Sequence, residues 1–407
     1  MKQGDKNSLP KGWEIKKLGE VCETRAGGTP LKSHKEYYEG GNIPWLLSGE
    51  VSQGEIFEVK NFITEKGLNN SSAKIFPLNT VLVAMYGATA GQVGILRIEA
   101  STNQAVCGIL PNNVTVPEYL FYCFLSKKEE LISQAVGGAQ PNISQIKIKN
   151  TLIPLPSIEE QQSIVAKLDE AFEAIEKAKA NAEQNLKNAK ELFDSYLQAI
   201  FENKGKDWEK KTLSEIADIK GGKRVPKGYC LETKSTGYPY IRVTDFNDEG
   251  GVDLKDIHYI SKEVYEQIRN YTITTNDLYI SIAGTIGKSG IIPNELNNAN
   301  LTENACKLVF NIKLEPKFIY YFTKTEDFAK QASLNTRVAA MPKLALTRLS
   351  TITLNIPNSI YEQQSIVQKL DALSAETKKL EAIYLKKLED LEELKKSILQ
   401  KAFSGQL

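Results

Sequence analysis

The run Gly284-Thr285-Ile286-Gly287-Lys288-Ser289 ends in the Gly-Lys-Ser of a phosphate-binding loop, whose backbone N–H groups and lysine would cradle a nucleotide. The full pattern needs glycine at position 282, where the chain has Ile282. It also needs a helix N-terminus facing the anion, whereas Gly290-Ile291-Ile292-Pro293 reads as a returning strand, so a glycine-rich hairpin is expected. The acid-x-Lys triplets Asp253-Leu254-Lys255 and Glu58-Val59-Lys60 could each be half of a nuclease metal site, but no paired upstream acid accompanies them. Two histidines, His34 and His258, cannot build a His-rich zinc site. No nucleophile motif supports a hydrolase triad. Adenosylmethionine would need a Gly-x-Gly loop in a βαβ setting, and DNA amino-methylation a Pro-Pro-aromatic motif; the chain has neither. These residues predict a non-enzyme without a bound metal.

The composition agrees with a folded, intracellular chain. Its 407 residues suggest two to three domains at roughly 150 each. A hydrophobic fraction of 41% and a charged fraction of 25% exclude a disordered polymer. With 51 Lys and Arg against 50 Asp and Glu, no global charge attracts a polyanion. The cysteines Cys22, Cys107, Cys123, Cys230 and Cys306 are odd in number and lack CxxC spacing, which predicts reduced thiols in the cytoplasm. The polar N-terminus lacks the apolar core of a signal peptide. The most apolar window, 81–98, is broken by Gly87, Gly91 and Gly94, so it reads as strand–turn–strand and no membrane partner is expected.

The positioning elements come in duplicate. Trp13-Glu14 and Lys16-Lys17-Leu18-Gly19-Glu20 return as Trp208-Glu209 and Lys210-Lys211-Thr212-Leu213-Ser214-Glu215. By letter, Gly27-Gly28 matches Gly221-Gly222, Ile43-Pro44-Trp45-Leu46 matches Tyr238-Pro239-Tyr240-Ile241, and Thr102-Asn103-Gln104-Ala105 matches Thr302-Glu303-Asn304-Ala305. Glu160-Gln161-Gln162-Ser163-Ile164-Val165 recurs unchanged from Glu362 to Val367, each followed after one intervening residue by Lys-Leu-Asp. The matches are collinear, with an offset that drifts only from about 195 to 202, so the chain is an internal duplication.

Each half divides again. Residues 1–156 and 205–357 carry short β-branched and aromatic runs, such as Thr80–Met85 and Asp277–Ile282, that read as strands. Stretches 158–203 and 360–403 contain neither Pro nor Gly. Their apolar residues recur at spacings of three and four: Ile164, Leu168, Ala171, Ile175, Ala178, Ala182, Ala189, Leu192 and Tyr196 in the first, and Ile366, Leu370, Leu373, Thr377, Leu380, Tyr384, Leu391, Leu394 and Ile398 in the second. That pattern predicts helices with one apolar face each, roughly 60 Å of rod per forty residues. Pro154, Pro156 and Pro357 mark the starts, and Ser157 with Glu160 and Ser359 with Glu362 have capping-box spacing. Net charges of +2 and +3 fall on 1–156 and 205–357, against −4 and 0 on 157–204 and 358–407, so phosphate binding, if present, belongs to the globular parts.

The Leu-Pro-x-Gly-Trp-Glu opening, its second copy at Trp208, the paired Glu-Gln-Gln-x-Ile-Val-x-Lys-Leu-Asp motifs and the closing Leu399-x-x-x-Phe403-Ser404-Gly405-x-Leu407 resemble type I restriction–modification specificity subunits along essentially the whole chain. The resemblance implies an α+β chain with two similar mixed α/β target recognition domains, each followed by a long helix. The two helices would pair as an antiparallel coiled coil, giving pseudo-twofold symmetry. It assigns 1–156 and 205–357 to recognition domains and 157–204 and 358–407 to spacer helices. It further implies double-stranded DNA as partner, one half of a bipartite target per domain, with the helices setting the spacing. Methyltransferase subunits and a motor–nuclease subunit would join the complex. This chain would hold no cofactor, adenosylmethionine and ATP with Mg belonging to those partners. From another class, a scaffold whose paired helices assemble proteins without touching DNA shares the same residues.

Base reading calls for Arg, Lys, Asn and Gln in loops that reach a groove. The polar or basic candidates at matching repeat positions, in loops beside predicted strands, are Arg25, Thr29, Ser48, Tyr86, Thr89, Gln92, Gln140 and Asn142 in the first domain. In the second they are Lys223, Arg224, Arg242, Thr244, Thr285, Lys288, Arg337 and Lys343. Trp45 and Tyr240 each follow a proline at matched places, where core packing is favoured over stacking on a base.

Overall fold

The computed structural model describes residues 9–133, 142–203, 205–334 and 344–407. Two units emerge: residues up to Glu183 with Lys386–Leu407, and Gln184–Leu385. Both therefore hold one β-rich domain and a segment of each of the two long helices, Ile158–Glu202 and Ile360–Phe403.

In the first unit, Glu14–Lys17 pairs antiparallel with Leu152–Leu155, tying the start of the domain to its end. A five-stranded sheet runs in the order Thr24–Ala26, Val106–Ile109, Val81–Ala84, Val93–Leu96, Glu55–Ile56. A second sheet orders Phe62–Ile63, Ile43–Leu46, Ala100–Thr102 and Ile75–Phe76, with Ile43–Leu46 parallel to Ala100–Thr102. The all-apolar strand Val81–Ala84 is buried on both faces. Val81 and Val83 meet Leu120 and Phe124 of the helix Pro117–Ser126, while Leu82 and Ala84 meet Leu46, Ile56 and Phe76. Two-sided burial explains a strand with no polar alternation.

The second unit repeats this plan. Trp208–Thr212 pairs with Thr353–Pro357. One sheet orders Ala217–Gly221, Ala305–Phe310, Leu278–Ser281 and Ser289–Ile291, and the other His258–Tyr259, Pro239–Ile241, Ala299–Leu301 and Thr272–Ile273. The helix Pro316–Phe322 takes the place of Pro117–Ser126, again with proline in its first turn, where the missing N–H costs nothing.

The long helices dock on their domains through the repeated Glu-Gln-Gln motif. Glu160 accepts the indole N–H of Trp13 at 2.9 Å, and Glu362 that of Trp208 at 2.8 Å. The predicted capping boxes are thus half-formed at most: Ser157 Oγ accepts the N–H of Glu160, but the glutamate is turned to the domain by an indole within reach. In the first unit the helices run antiparallel, with Glu176 bridged to Lys395 and Lys179 to Glu392. Ile164, Leu168, Phe172 and Ile175 share a core with Leu399, Ala402 and Tyr119. In the second unit Leu197 and Phe201 join Val367, Leu370, Phe318 and Phe322. The apolar spacing overstates the seam: Leu192, Tyr196, Leu380 and Leu394 are exposed, and Leu197 and Phe201 take the buried side instead. Continuous 3.6-residue winding drifts from a strict heptad stripe, so the buried face moves around the helix.

Candidate nucleic-acid interface

In the first domain several strand ends meet at one edge, laced by backbone hydrogen bonds. Gly27 N–H donates to Val106 O (3.0 Å), Gly28 N–H to Thr102 O (2.8 Å), Asn103 N–H to Leu46 O (2.9 Å), Met85 N–H to Ala105 O (2.8 Å) and Ile143 N–H to Met85 O (2.8 Å). Gly27 permits this approach, because a Cβ there would stand 2.1 Å from Thr102 Oγ1. Trp45 is buried, and its indole N–H holds the Gly28 carbonyl at 3.0 Å. Core packing is therefore its role.

The second domain builds the same edge, and its hydrogen bonds fix the true correspondence. Gly222 N–H donates to Ala305 O (2.9 Å), Lys223 N–H to Leu301 O (2.8 Å) and Thr302 N–H to Ile241 O (3.0 Å). Buried Tyr240 donates its hydroxyl to the Lys223 carbonyl at 2.9 Å, as Trp45 does to Gly28. Gly27 therefore answers to Gly222, Gly28 to Lys223 and Thr29 to Arg224. The letter match of Gly27-Gly28 with Gly221-Gly222 is one residue out, and so is that of Gln104, whose counterpart is Glu303 and not Asn304. Gly222 faces the same crowding as Gly27, with a Cβ 2.1 Å from Thr302 O.

The edge collects many of the nominated side chains. Thr29, Ser48, Thr89 and Gln92 are half-buried there, and Tyr86 and Asn142 are exposed and bridged to one another through their backbones. Arg25 lies back within its strand, ion-paired to Glu23 at 2.7 Å, and does not join them. On the second edge Lys223 and Arg224 are exposed, the Lys223 ammonium lying 5.6 Å from the Tyr271 ring centre. Thr244 and Thr285 are exposed as well. Arg242 and Lys288 are engaged by the protein itself. The Arg242 guanidinium binds buried Asp245, the Asp256 carbonyl and His258 Nε2. Lys288 Nζ binds Asp248 at 2.8 Å and the Phe246 carbonyl at 3.2 Å. Gln140, Arg337 and Lys343 lie outside the described residues.

The Gly-Lys-Ser run is a hairpin, as expected: Ile280 pairs with Ser289 across the turn, and Gly284 and Gly287 take φ of +76° and +91°. Such a turn presents no helix N-terminus to a phosphate. Among the described residues no group of three or more His, Cys, Asp or Glu could hold a metal.

Two further residues stand on the edges, Gln104 and Glu303, which the sequence marks only through the repeat. Thr29 donates its hydroxyl to Gln104 Oε1, and Arg224 donates Nε–H to Glu303 Oε1 at the equivalent place. Burial opposes the charge on Glu303, but the Arg224 guanidinium, the residue's own backbone N–H and the Thr302 hydroxyl together outweigh it and hold the carboxyl below the usual carboxylate range. The signal for both residues was present in the recurring Thr-Asn-Gln-Ala and Thr-Glu-Asn-Ala.

The model of the type I restriction modification DNA specificity domain matches the chain twice, over 10–184 and 205–390. The chain belongs to this family. Its two matches are the two halves of the duplication. Among similar proteins, the type I restriction enzyme MjaIX specificity subunit of Methanocaldococcus jannaschii is 26% identical over 394 residues, spanning 91% of this chain and 88% of that protein. The EcoKI specificity subunit of Escherichia coli K12 is 23% identical, spanning 98% and 90%. In fold, the chain resembles the crystal structure of the HsdS subunit from Thermoanaerobacter tengcongensis (TM-score 0.66, 21% identity, 98% of both chains). It also resembles a chain from a structure concerned with assembly and conformational transition of the type I R-M system (TM-score 0.80, 22% identity, 98% of this chain and 100% of that one). The two-domain, two-helix architecture is thus that of the family. No described helix is long and apolar enough to cross a membrane.

Proposed function

We propose that this chain is the sequence-reading subunit of a type I restriction–modification complex, each domain reading one half of a bipartite DNA target. The observation that carries this is the duplicated loop edge: one backbone frame, set by Gly27 and Gly222, displays different polar side chains in the two domains. A common frame with variable side chains is how one fold serves different base sequences. Lys223 and Arg224 add cationic side chains for phosphate or base on the second edge. The paired helices would set the distance between half-sites and offer docking to methyltransferase and motor–nuclease subunits. Those partners would carry adenosylmethionine and ATP with Mg, so the purified chain is expected to transfer no methyl groups and cut no DNA by itself.

The test is an exchange of residues 205–357 for those of a related subunit, followed by mapping of methylated sites in cells. One half-site should change and the other persist. If both change together, the domains do not read independently. A four-residue insertion near Asn185, about one helical turn, should alter the spacing and leave both half-sites intact.

A further inference from the structure

The pairs Thr29–Gln104 and Arg224–Glu303 occupy the same place in the two domains, although no sequence match links them. In each, the residue two beyond the glycine shared by the two edges, Gly27 or Gly222, reaches across to the turn between two strands, Ala100–Thr102 and Val106–Ile109 in one case, Ala299–Leu301 and Ala305–Phe310 in the other. Each pair is braced on one side and open on the other. The Arg224 side chain is 78% exposed, and the carboxylate holds it by Nε, leaving the Nη1 and Nη2 fork facing outward. Glu303 is itself fixed by the Thr302 hydroxyl at 3.0 Å. Exposed Gln104 is held at Oε1 by Thr29, and among the described residues nothing else claims its Nε2 amide or the second lone pair of Oε1.

These open edges have different chemistry. A guanidinium fork matches the O6 and N7 acceptors of guanine, and a carboxamide matches the N6 donor and N7 acceptor of adenine. Bracing removes rotamer freedom before binding, so less is lost when a base is engaged. Resting on the bipartite reading above, we infer that these pairs are specificity-determining contacts of the two domains: Arg224, positioned by Glu303, reads a guanine in the second half-site, and Gln104, positioned by Thr29, reads an adenine in the first.

The experiment uses the chain assembled with its methyltransferase subunits and selects bound duplexes from a library with randomised half-sites. Arg224→Lys keeps the positive charge and removes the fork. It should lower the preference for guanine at one position by about 5- to 150-fold, the range of one bidentate contact, with an unchanged salt dependence and first half-site. The double change Arg224→Thr with Glu303→Gln, which installs the first domain's pair, should shift that position towards adenine. Gln104→Ala should relax one adenine position in the first half-site alone. Thermal unfolding of each complex separates loss of reading from loss of fold, and the single Arg224→Lys change serves if the double variant does not assemble. Retention of the wild-type target by folded Arg224→Lys and Gln104→Ala complexes overturns the inference while leaving the bipartite reading standing. A wild-type complex that selects no bipartite sequence at all would instead overturn that reading.

Discussion

Gln161 Oε1 accepts the backbone N–H of Val116 at 2.8 Å, one residue ahead of the helix Pro117–Ser126. The same side chain donates Nε2–H to the carbonyls of Val114 (3.1 Å) and Pro156 (3.0 Å), so one buried amide pins a long helix to its domain. Gln363 repeats this with the N–H of Glu315 and the carbonyl of Pro357, both at 2.8 Å. Gln161→Leu would strand buried backbone groups and should lower unfolding stability by about 2–4 kcal/mol. Its exposed neighbour in Gln162→Ala should change stability by less than about 0.5 kcal/mol. Urea unfolding of the two variants tests the contrast; equal losses would mean that the amide is not the pin.

The helix seam gives a second contrast. Leu370 is fully buried, whereas Leu380 is 37% exposed. Leu370→Asp should destabilise by several kcal/mol by burying an unpaired charge, and Leu380→Asp by about 1 kcal/mol or less. Melting temperatures of the two variants are the readout, and a comparable drop for Leu380→Asp would place it in the seam after all.

Arg242 and the Lys223–Arg224 pair should separate stability from DNA binding. Arg242→Ala leaves buried Asp245 without its guanidinium, at a cost of about 1–3 kcal/mol because the arginine itself is partly exposed. Its effect on the salt dependence of DNA binding should be small. Replacing Lys223 and Arg224 together by Ala should reduce the slope of log K against log salt by about one to two units if both contact phosphate, and by less to the extent that Arg224 is occupied with a base. An unchanged slope would show that this edge faces away from DNA.

The thiols predict a pH dependence. Burial pushes Cys107, Cys123 and Cys306 up to about 12, and Cys22 upward as well. Unfolded thiols ionise near 8.5. Below that pH both states hold the proton and these groups leave stability unaffected by pH. As pH rises from about 8.5 towards 12 the unfolded chain loses protons that the folded chain keeps, so this contribution is progressively lost. In the native protein at pH 8 a thiol reagent should modify exposed Cys230 quickly and the four buried cysteines only after unfolding. Rapid labelling of more than one thiol would show that the core opens.

The duplication, the two helices and the doubly buried strands at Val81–Ala84 and Leu278–Ser281 were legible in the sequence, because each is written in local spacing or in repeated letters. The family resemblance rested on the same letters. Tertiary structure alone decided which residues of the two edges correspond. Gly27 matches Gly222 through hydrogen bonds to strands some eighty residues away, and letters cannot register a one-residue shift that backbone pairing enforces. It also decided that Glu160 serves Trp13 instead of completing a capping box, and that Arg242 and Lys288 are held within the domain while Arg224 presents its fork. A side chain's type sets which bonds it can make. Which of them it makes depends on what the fold brings within about 3 Å, and that is a property of packing between segments distant in sequence.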